Sequence, residues 1–493
     1  MGKLDDQYPG LPIKLGPVSN GEYLPPPPTP LIRETVKRAR EQAFRNADRL
    51  GMSRRKFLLS AMGAATTLAM LNACSKEANK AGGGGPTSTG VGGTYNVPDE
   101  AQFDYDAAYE ALGGEEFIFD VQTHFLDANH DIPSLGIDRM FSQRACGEQD
   151  PRDCFSVDWY LDLLFNKSDT NMIVISALPF AGSPLNPEVM SKTIELADRI
   201  GCTGRVLMQG EAHPSYGPLE QALENMADIH SKMPVGAWKT YTHWGGPGWW
   251  LDDHDPAAPQ VGEAFLQKVE ELGPPLVAVH KGFGSGSPFA DPVDVGPAAK
   301  KHPNLNFVVY HSGFDVEGGK TEGPYREEDD WGINRLITSV RRNGVGGPGG
   351  NVYAELGSTW KVLMGNPTAA AHALGKLLLQ FGEDNIVWGT DSIWYGSPQD
   401  QIEAFRAFEI TPEFQERFGY PALTKKTKAK ILGLNSARLY GVKPITGICR
   451  FDRDQIENTR LTSFDGNLTF GPRTAEEVYR VRQAELKQFT SFN

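Results

Sequence analysis

The chain predicts an α/β protein whose main body is a closed (β/α)8 TIM barrel. Three observations point there. Eight short apolar runs alternate with amphipathic helical stretches, the pattern of a parallel sheet with crossover helices. Runs such as Ile173-Val174-Ile175 are apolar on both sides, which suits strands covered on both faces. His124, His280, His311 and Asp391 each stand where such a run ends, and barrels gather site residues at the C-terminal ends of several strands. An open dinucleotide-binding sheet is disfavoured, because Val121-Gln122-Thr123-His124 stands where a Gly-rich phosphate loop would follow the first strand.

The expected strands are Phe117–Val121, Met172–Ala177, Arg205–Gln209, Val235–Lys239, Leu276–His280, Phe307–His311, Val352–Leu356 and Ile386–Asp391. Each is short and rich in branched or aromatic residues. The expected helices are Glu188–Ile200, Leu219–Lys232, Gly262–Leu272, Trp331–Arg342, Ala369–Phe381 and Gln399–Phe408. Apolar residues recur in them at three- and four-residue spacing, as in Ile194, Leu196, Ala197 and Ile200. A last helix, Ala475–Phe489, is expected to pack outside the barrel.

A single barrel needs fewer than 493 residues, so flanking segments are expected. Residues 1–51 read as a disordered leader, since Tyr23 to Pro30 is Pro-rich. Ser53-Arg54-Arg55-Lys56-Phe57-Leu58 precedes an apolar stretch, Leu58 to Ala73, too short and too rich in Ala, Gly and Thr to span a membrane. Residues 52–74 therefore read as a signal that resembles the twin-arginine export signal. Leu71-Asn72-Ala73-Cys74 resembles a lipoprotein cleavage box, which implies lipidation at Cys74 and a periplasmic or membrane-anchored bacterial lipoprotein. Met52 is an alternative start to Met1. Residues 75–96, with Gly82 to Gly93 at their centre, form a flexible tether by composition. Residues 97–442 are the barrel, and 443–493 a C-terminal extension.

Apolar content of 40% and charged content of 22% are ordinary for a globular protein. A net charge of -14 without a basic cluster in the folded part excludes a nucleic-acid surface. Cys146 and Cys154 are either a disulfide or two free thiols, while Cys202 and Cys449 read as buried small hydrophobes.

Imidazoles with a carboxylate are the ligand chemistry of a zinc-like metal. Asp120-Val121-Gln122-Thr123-His124-Phe125, Val279-His280-Lys281-Gly282, Tyr310-His311-Ser312-Gly313 and Trp388-Gly389-Thr390-Asp391 carry a family resemblance. Over roughly residues 115 to 442 the chain resembles the amidohydrolase superfamily, in the branch of the aminocarboxymuconate semialdehyde decarboxylase and related aromatic-acid decarboxylases. The resemblance implies one divalent metal, zinc or else manganese, held by His124, His280 and Asp391. It implies that Asp391 also holds the attacking water and that His311 is the general acid/base or a substrate-orienting residue. Gln122 stands where the family's first His belongs. It either ligates through its amide oxygen or merely hydrogen-bonds beside a weakened or decayed site.

Other side chains are candidates with more than one reading each. Lys239 ends the fourth strand as a carbamylated bridge, a substrate contact or an ordinary ion-paired lysine. Lys281 and Arg406 could likewise meet a substrate carboxylate. Glu355 either orients a histidine or forms a structural ion pair. His243, Trp249, Trp360 and Trp394 either wall a pocket for a flat substrate or pack the barrel mouth. The expected activity is hydrolysis of a small aromatic or cyclic substrate by metal-activated water. Non-oxidative decarboxylation of an aromatic or unsaturated acid is the alternative, and a non-catalytic binding protein the second. No nucleic-acid partner is expected, a membrane only through a lipid anchor, and a homo-oligomer is compatible with the sequence.

Overall fold

The computed structural model describes residues 10–16, 18–25, 27–81, 90–126, 146–148, 151–179, 183–284, 286–316 and 320–463. The helix expected over Ala475–Phe489, His130 and most of the Gly-rich tether lie outside the described residues.

Ten strands are described, β1 (Gly93–Tyr95), β2 (Phe119–Thr123), β3 (Met172–Ile175), β4 (Val206–Ala212), β5 (Val235–Tyr241), β6 (Leu276–His280), β7 (Asn306–Tyr310), β8 (Val352–Glu355), β9 (Ile386–Val387) and β10 (Phe408–Ile410). Strands β2 to β9 pair in sequence order, all parallel. The ring closes where Val121 N–H donates to Trp388 O (3.0 Å) and Asp391 N–H donates to Gln122 O (2.9 Å). The fold is a (β/α)8 barrel, as the alternation of runs predicts. β9 ends at Val387, four residues short of the expected strand, because the chain turns inward to present Asp391.

Helices fall where the periodicity places them, and local chemistry starts them. Asn186 and Asn366 cap the helices Pro187–Arg199 and Pro367–Phe381 through their side chains, each with Pro in the first turn. β1 pairs antiparallel with β10 on the outside of the barrel.

Within the stretch read as a disordered leader, the described residues include a long helix, Pro30–Arg49. Helices α1 (Pro30–Arg49), α2 (Arg54–Leu58) and α3 (Ala61–Ala81) form an antiparallel layer against α4 (Tyr105–Leu112), β1 and the helix Gln399–Ala407. Thr29 caps α1 through its side chain, ahead of a proline that fixes the first turn. The apolar stretch read as a signal lies in α3, where Ala65, Leu68 and Leu71 are fully buried and Cys74 is buried. Leu68 and Leu71 are one turn apart, so the run of small residues around them gives a face flat enough to pack closely. Among the described residues, no helix is long and apolar enough to cross a membrane.

Cys202 and Cys449 are joined by a disulfide, which corrects their reading as buried hydrophobes, and Cys146 and Cys154 form a second. The first of these ties the extension after residue 442 to the helix side of β4. Arg205 reinforces that tie through the carbonyls of Ile445 (3.2 Å) and Gly447 (3.1 Å).

Candidate metal centre

Six strand ends converge at one rim. β2 brings Gln122 and, just beyond it, His124; β5 brings Lys239; β6 brings His280. The turns after β7 and β9 bring His311 and Asp391, and β8 ends in Glu355. All seven side chains are buried. His311, Ser312, Ser358 and Asp391 hold φ of 59°, 51°, 53° and 61°. Left-handed backbone is costly for residues with a Cβ, and its concentration at these turns marks a functional rim. Gly357 and Gly389 make room there. A Cβ at residue 357 would lie 2.0 Å from Gln122 Oε1, and one at 389 would lie 1.8 Å from Glu355 Oε1.

The hydrogen bonds fix the histidine tautomers. His124 Nδ1 sits 2.8 Å from the carbonyl of Ser176, and His311 Nδ1 sits 2.7 Å from that of Gly357. A carbonyl only accepts, so each Nδ1 carries the proton and each Nε2 presents a lone pair to the site. Those lone pairs face carboxylates. His124 Nε2 is 3.2 Å from Asp391 Oδ1, and His311 Nε2 is 3.6 Å from Glu22 Oε2. Neither ring nitrogen of His280 has a hydrogen-bond partner among the described residues, although Glu22 Oε1 lies 3.4 Å from Nδ1. Gln122 Oε1 is also without a partner among them. Orphaned buried acceptors facing one another are costly unless a cation lies between them. The mixed nitrogen and oxygen donors fit a divalent cation such as zinc or manganese.

Burial pushes the imidazoles of His124 and His280 below the ordinary range and His311 to about 4, keeping all three neutral. Burial also acts to raise Asp391, but its Oδ2 accepts from the Ser358 hydroxyl (2.5 Å) and from Asn20 Nδ2 (2.8 Å), hydrogen bonds that favour the ionised form. Burial lowers Lys239 to about 7 against the pull of Glu22, Asp391 and Glu355. Its Nζ has no hydrogen-bond partner among the described residues and lies 3.4 Å from the Tyr310 ring centroid. Burial raises Glu355 to about 8, while its Oε2 accepts from His311 N–H (2.9 Å). Glu355 therefore positions His311 through the backbone, as one of its two sequence readings had it.

The grouping differs from the expected trio. Donor atoms of Glu22, His280 and His311 lie within 4.8 Å of one another, while His124 and Asp391 form a neighbouring pair. Asn20 joins the two groups, with Nδ2 2.5 Å from Glu22 Oε2 and 2.8 Å from Asp391 Oδ2. Tyr241 stacks on His280 at 4.5 Å and Trp394 on His124 at 5.4 Å. His243 borders His280 at 4.9 Å.

Other expectations are corrected. Trp249 is core, edge-on to Phe265 with its indole N–H on Tyr241 O. Trp360 is core between Phe405 and Phe408. Lys281 is paired with buried Asp294 at 2.8 Å, and Arg406 with Glu116 and Asp169 on the outside. The sequence reading missed Asn20, Glu22 and Tyr23, which sit in a Pro-rich stretch without periodicity. A cavity of about 280 Å³ beside them is lined by Leu15, Tyr23, Ile32 and Phe314 but also by Lys320 and Glu322, and none of the metal donors of the barrel borders it.

A model of the amidohydrolase family matches residues 218–442, from the start of the helix Leu219–Lys232 to beyond β10, and so covers His280, His311 and Asp391. Over those residues the chain is similar to the amidohydrolase family. Similar solved structures include an uncharacterized TIM-barrel protein of Bordetella bronchiseptica, 14% identical, covering 66% of this chain and 98% of that one, with a TM-score of 0.44. A putative 2-pyrone-4,6-dicarboxylic acid hydrolase of Pseudomonas putida is 15% identical, with coverages of 66% and 97% and a TM-score of 0.39. A 5-carboxyvanillate decarboxylase of Novosphingobium aromaticivorans with bound manganese is 12% identical, with coverages of 66% and 97% and a TM-score of 0.39. No curated protein matches the chain.

Proposed function

We propose that this amidohydrolase barrel is a metal-dependent hydrolase of a small, ring-shaped substrate bearing a carboxylate. One observation carries the reading. His124 and His311 spend their Nδ1 protons on carbonyls and turn Nε2 lone pairs toward carboxylates, around an imidazole, His280, that has no hydrogen-bond partner among the described residues. A divalent cation held by His124, His280 and Asp391 would bring bound water near neutral pKa or polarise a substrate oxygen. Asp391, ionised near neutrality, is placed to hold that water and receive its proton. His311 stays neutral and points Nε2 at the reacting centre, with Glu355 fixing its backbone. The Lys239 ammonium, buried without a hydrogen-bond partner among the described residues, suits a substrate carboxylate. Tyr241 and Trp394 suit the flat faces of a ring.

Decarboxylation is the second reading, and the same Lys239 ammonium favours it. There a proton would be delivered to a ring carbon and the bond to the carboxylate would break as carbon dioxide leaves. The test offers the metal-loaded protein a cyclic ester carrying ring carboxylates and, separately, hydroxybenzoates, measuring acid release and carbon dioxide. Turnover that a chelator does not abolish would refute both readings.

Two disulfides suit an oxidising compartment, the destination that the exposed Arg54-Arg55 pair implies. Cell fractionation tests this, and recovery in the cytosol would refute it.

A further inference from the structure

We infer that Glu22 is a ligand of the cation: a carboxylate delivered from outside the barrel to make up for the neutral amide of Gln122. This rests on the metal-centre reading above and deepens it.

The turn that carries Glu22 is built for its place. Ser19 Oγ donates to Tyr23 O (2.6 Å) and accepts from Gly21 N–H (2.9 Å), and Glu22 N–H donates to Asn20 Oδ1 (3.0 Å). Gly21 takes a φ of 91°, which only glycine adopts freely. The turn is then locked to the rim. Tyr23 stacks on Phe283 at 4.7 Å, its hydroxyl lies 3.4 Å from that of Tyr395, and Asn20 bonds Asp391. Upstream, Lys14 Nζ donates to the carbonyls of Tyr395 (2.8 Å) and Ser397 (3.1 Å). Ser19 and Asn20 are buried to 0% and 5% exposure, so the segment is interior rather than draped over the surface.

The spacing is that of donors sharing one cation. Two ligands held tetrahedrally at the usual zinc distances lie about 3.4 Å apart. Glu22 Oε1 is 3.4 Å from His280 Nδ1, and Oε2 is 3.6 Å from His311 Nε2. Tyr241 OH, 3.5 Å from Oε1, and Asn20 orient the carboxylate. Charge agrees with spacing. His124, His280 and Gln122 are neutral donors, leaving Asp391 as the one anionic ligand the barrel supplies. A second carboxylate completes the neutralisation of a divalent ion.

The test is metal binding by the full chain, read by metal analysis after dialysis, by chelator competition and by the absorption spectrum of the cobalt(II) form. Wild type is expected to hold the metal. Glu22→Gln, nearly isosteric, is expected to loosen it at least about tenfold and to alter the cobalt spectrum. Gln122→His added to Glu22→Gln is expected to restore affinity. A folded Glu22→Gln that holds metal as tightly as wild type, with the same cobalt spectrum, overturns the inference and leaves the metal-centre reading intact. The same holds if the variant gains activity at unchanged metal affinity, because Glu22 is then an inhibitory plug. Wild type that binds no metal overturns both.

Discussion

Replacing Leu68 by Ala asks whether the apolar stretch after Arg54-Arg55 is part of the folded protein. Leu68 lies in α3 at 0% exposure, beside Ala65 and Leu71, also at 0%. Asn72, one residue beyond Leu71, locks α3 to β1 by donating to Tyr95 O (2.7 Å) and accepting from Tyr95 N–H (2.9 Å). Removing a buried Leu side chain in such a setting costs about 3 kcal/mol, transfer and cavity contributions together. If α3 opens as a unit, that loss speeds exchange of its amide hydrogens by about a hundredfold. Hydrogen-exchange mass spectrometry of the full chain reads this directly. Leu59→Ala is the control, since Leu59 is 67% exposed and its truncation should change stability by less than about 0.5 kcal/mol. Equal exchange in α3 of Leu68→Ala and wild type, or unprotected amides there in wild type, would refute the packing and return residues 52–74 to their reading as a detachable signal.

Addition of zinc or manganese at a hundredfold over its dissociation constant should stabilise the apo protein by about 2.7 kcal/mol, visible as a raised melting temperature, and His280→Ala should abolish the increment. Burial raises Glu403 from 4.5 to about 7, so the fold binds its proton more tightly than the unfolded chain does, and stability falls as pH rises through that window. Glu403→Gln should therefore be near neutral at pH 4.5 and stabilising by at most about 3 kcal/mol at pH 8, and a gain of equal size at both pH values in urea titrations would contradict this. Cys202→Ser opens a loop closed across 247 positions and should cost up to about 5 kcal/mol on the chain-entropy account, a loss that reducing agent should at least match in wild type, since it opens Cys146–Cys154 as well.

The barrel was legible because its signal is local and repeated. Each strand carries its own apolar run, so β6 and the helices Leu219–Lys232 and Gly262–Leu272 match their expected bounds, and the histidines mark strand ends by position alone. Trp249 and Trp360 show the limit. An aromatic near a strand end reads alike whether it faces the mouth or the helix layer, and only neighbours such as Phe265 and Phe405 decide. Cys202 and Cys449 show it again, since nothing in two isolated cysteines 247 positions apart reveals that the chain brings them together.

By itself the sequence determined the architecture and pointed to the polar groups at the rim, because period and strand order are written residue by residue. The tertiary structure alone decided that the Pro-rich leader turns into the site with Glu22 and that a signal-like run becomes the core helix α3. Both depend on contacts across more than two hundred positions, with His280 and His311 in one case and with the helix Gln399–Ala407 in the other. A carboxylate with no periodic neighbours carries no local trace of the imidazoles it will meet.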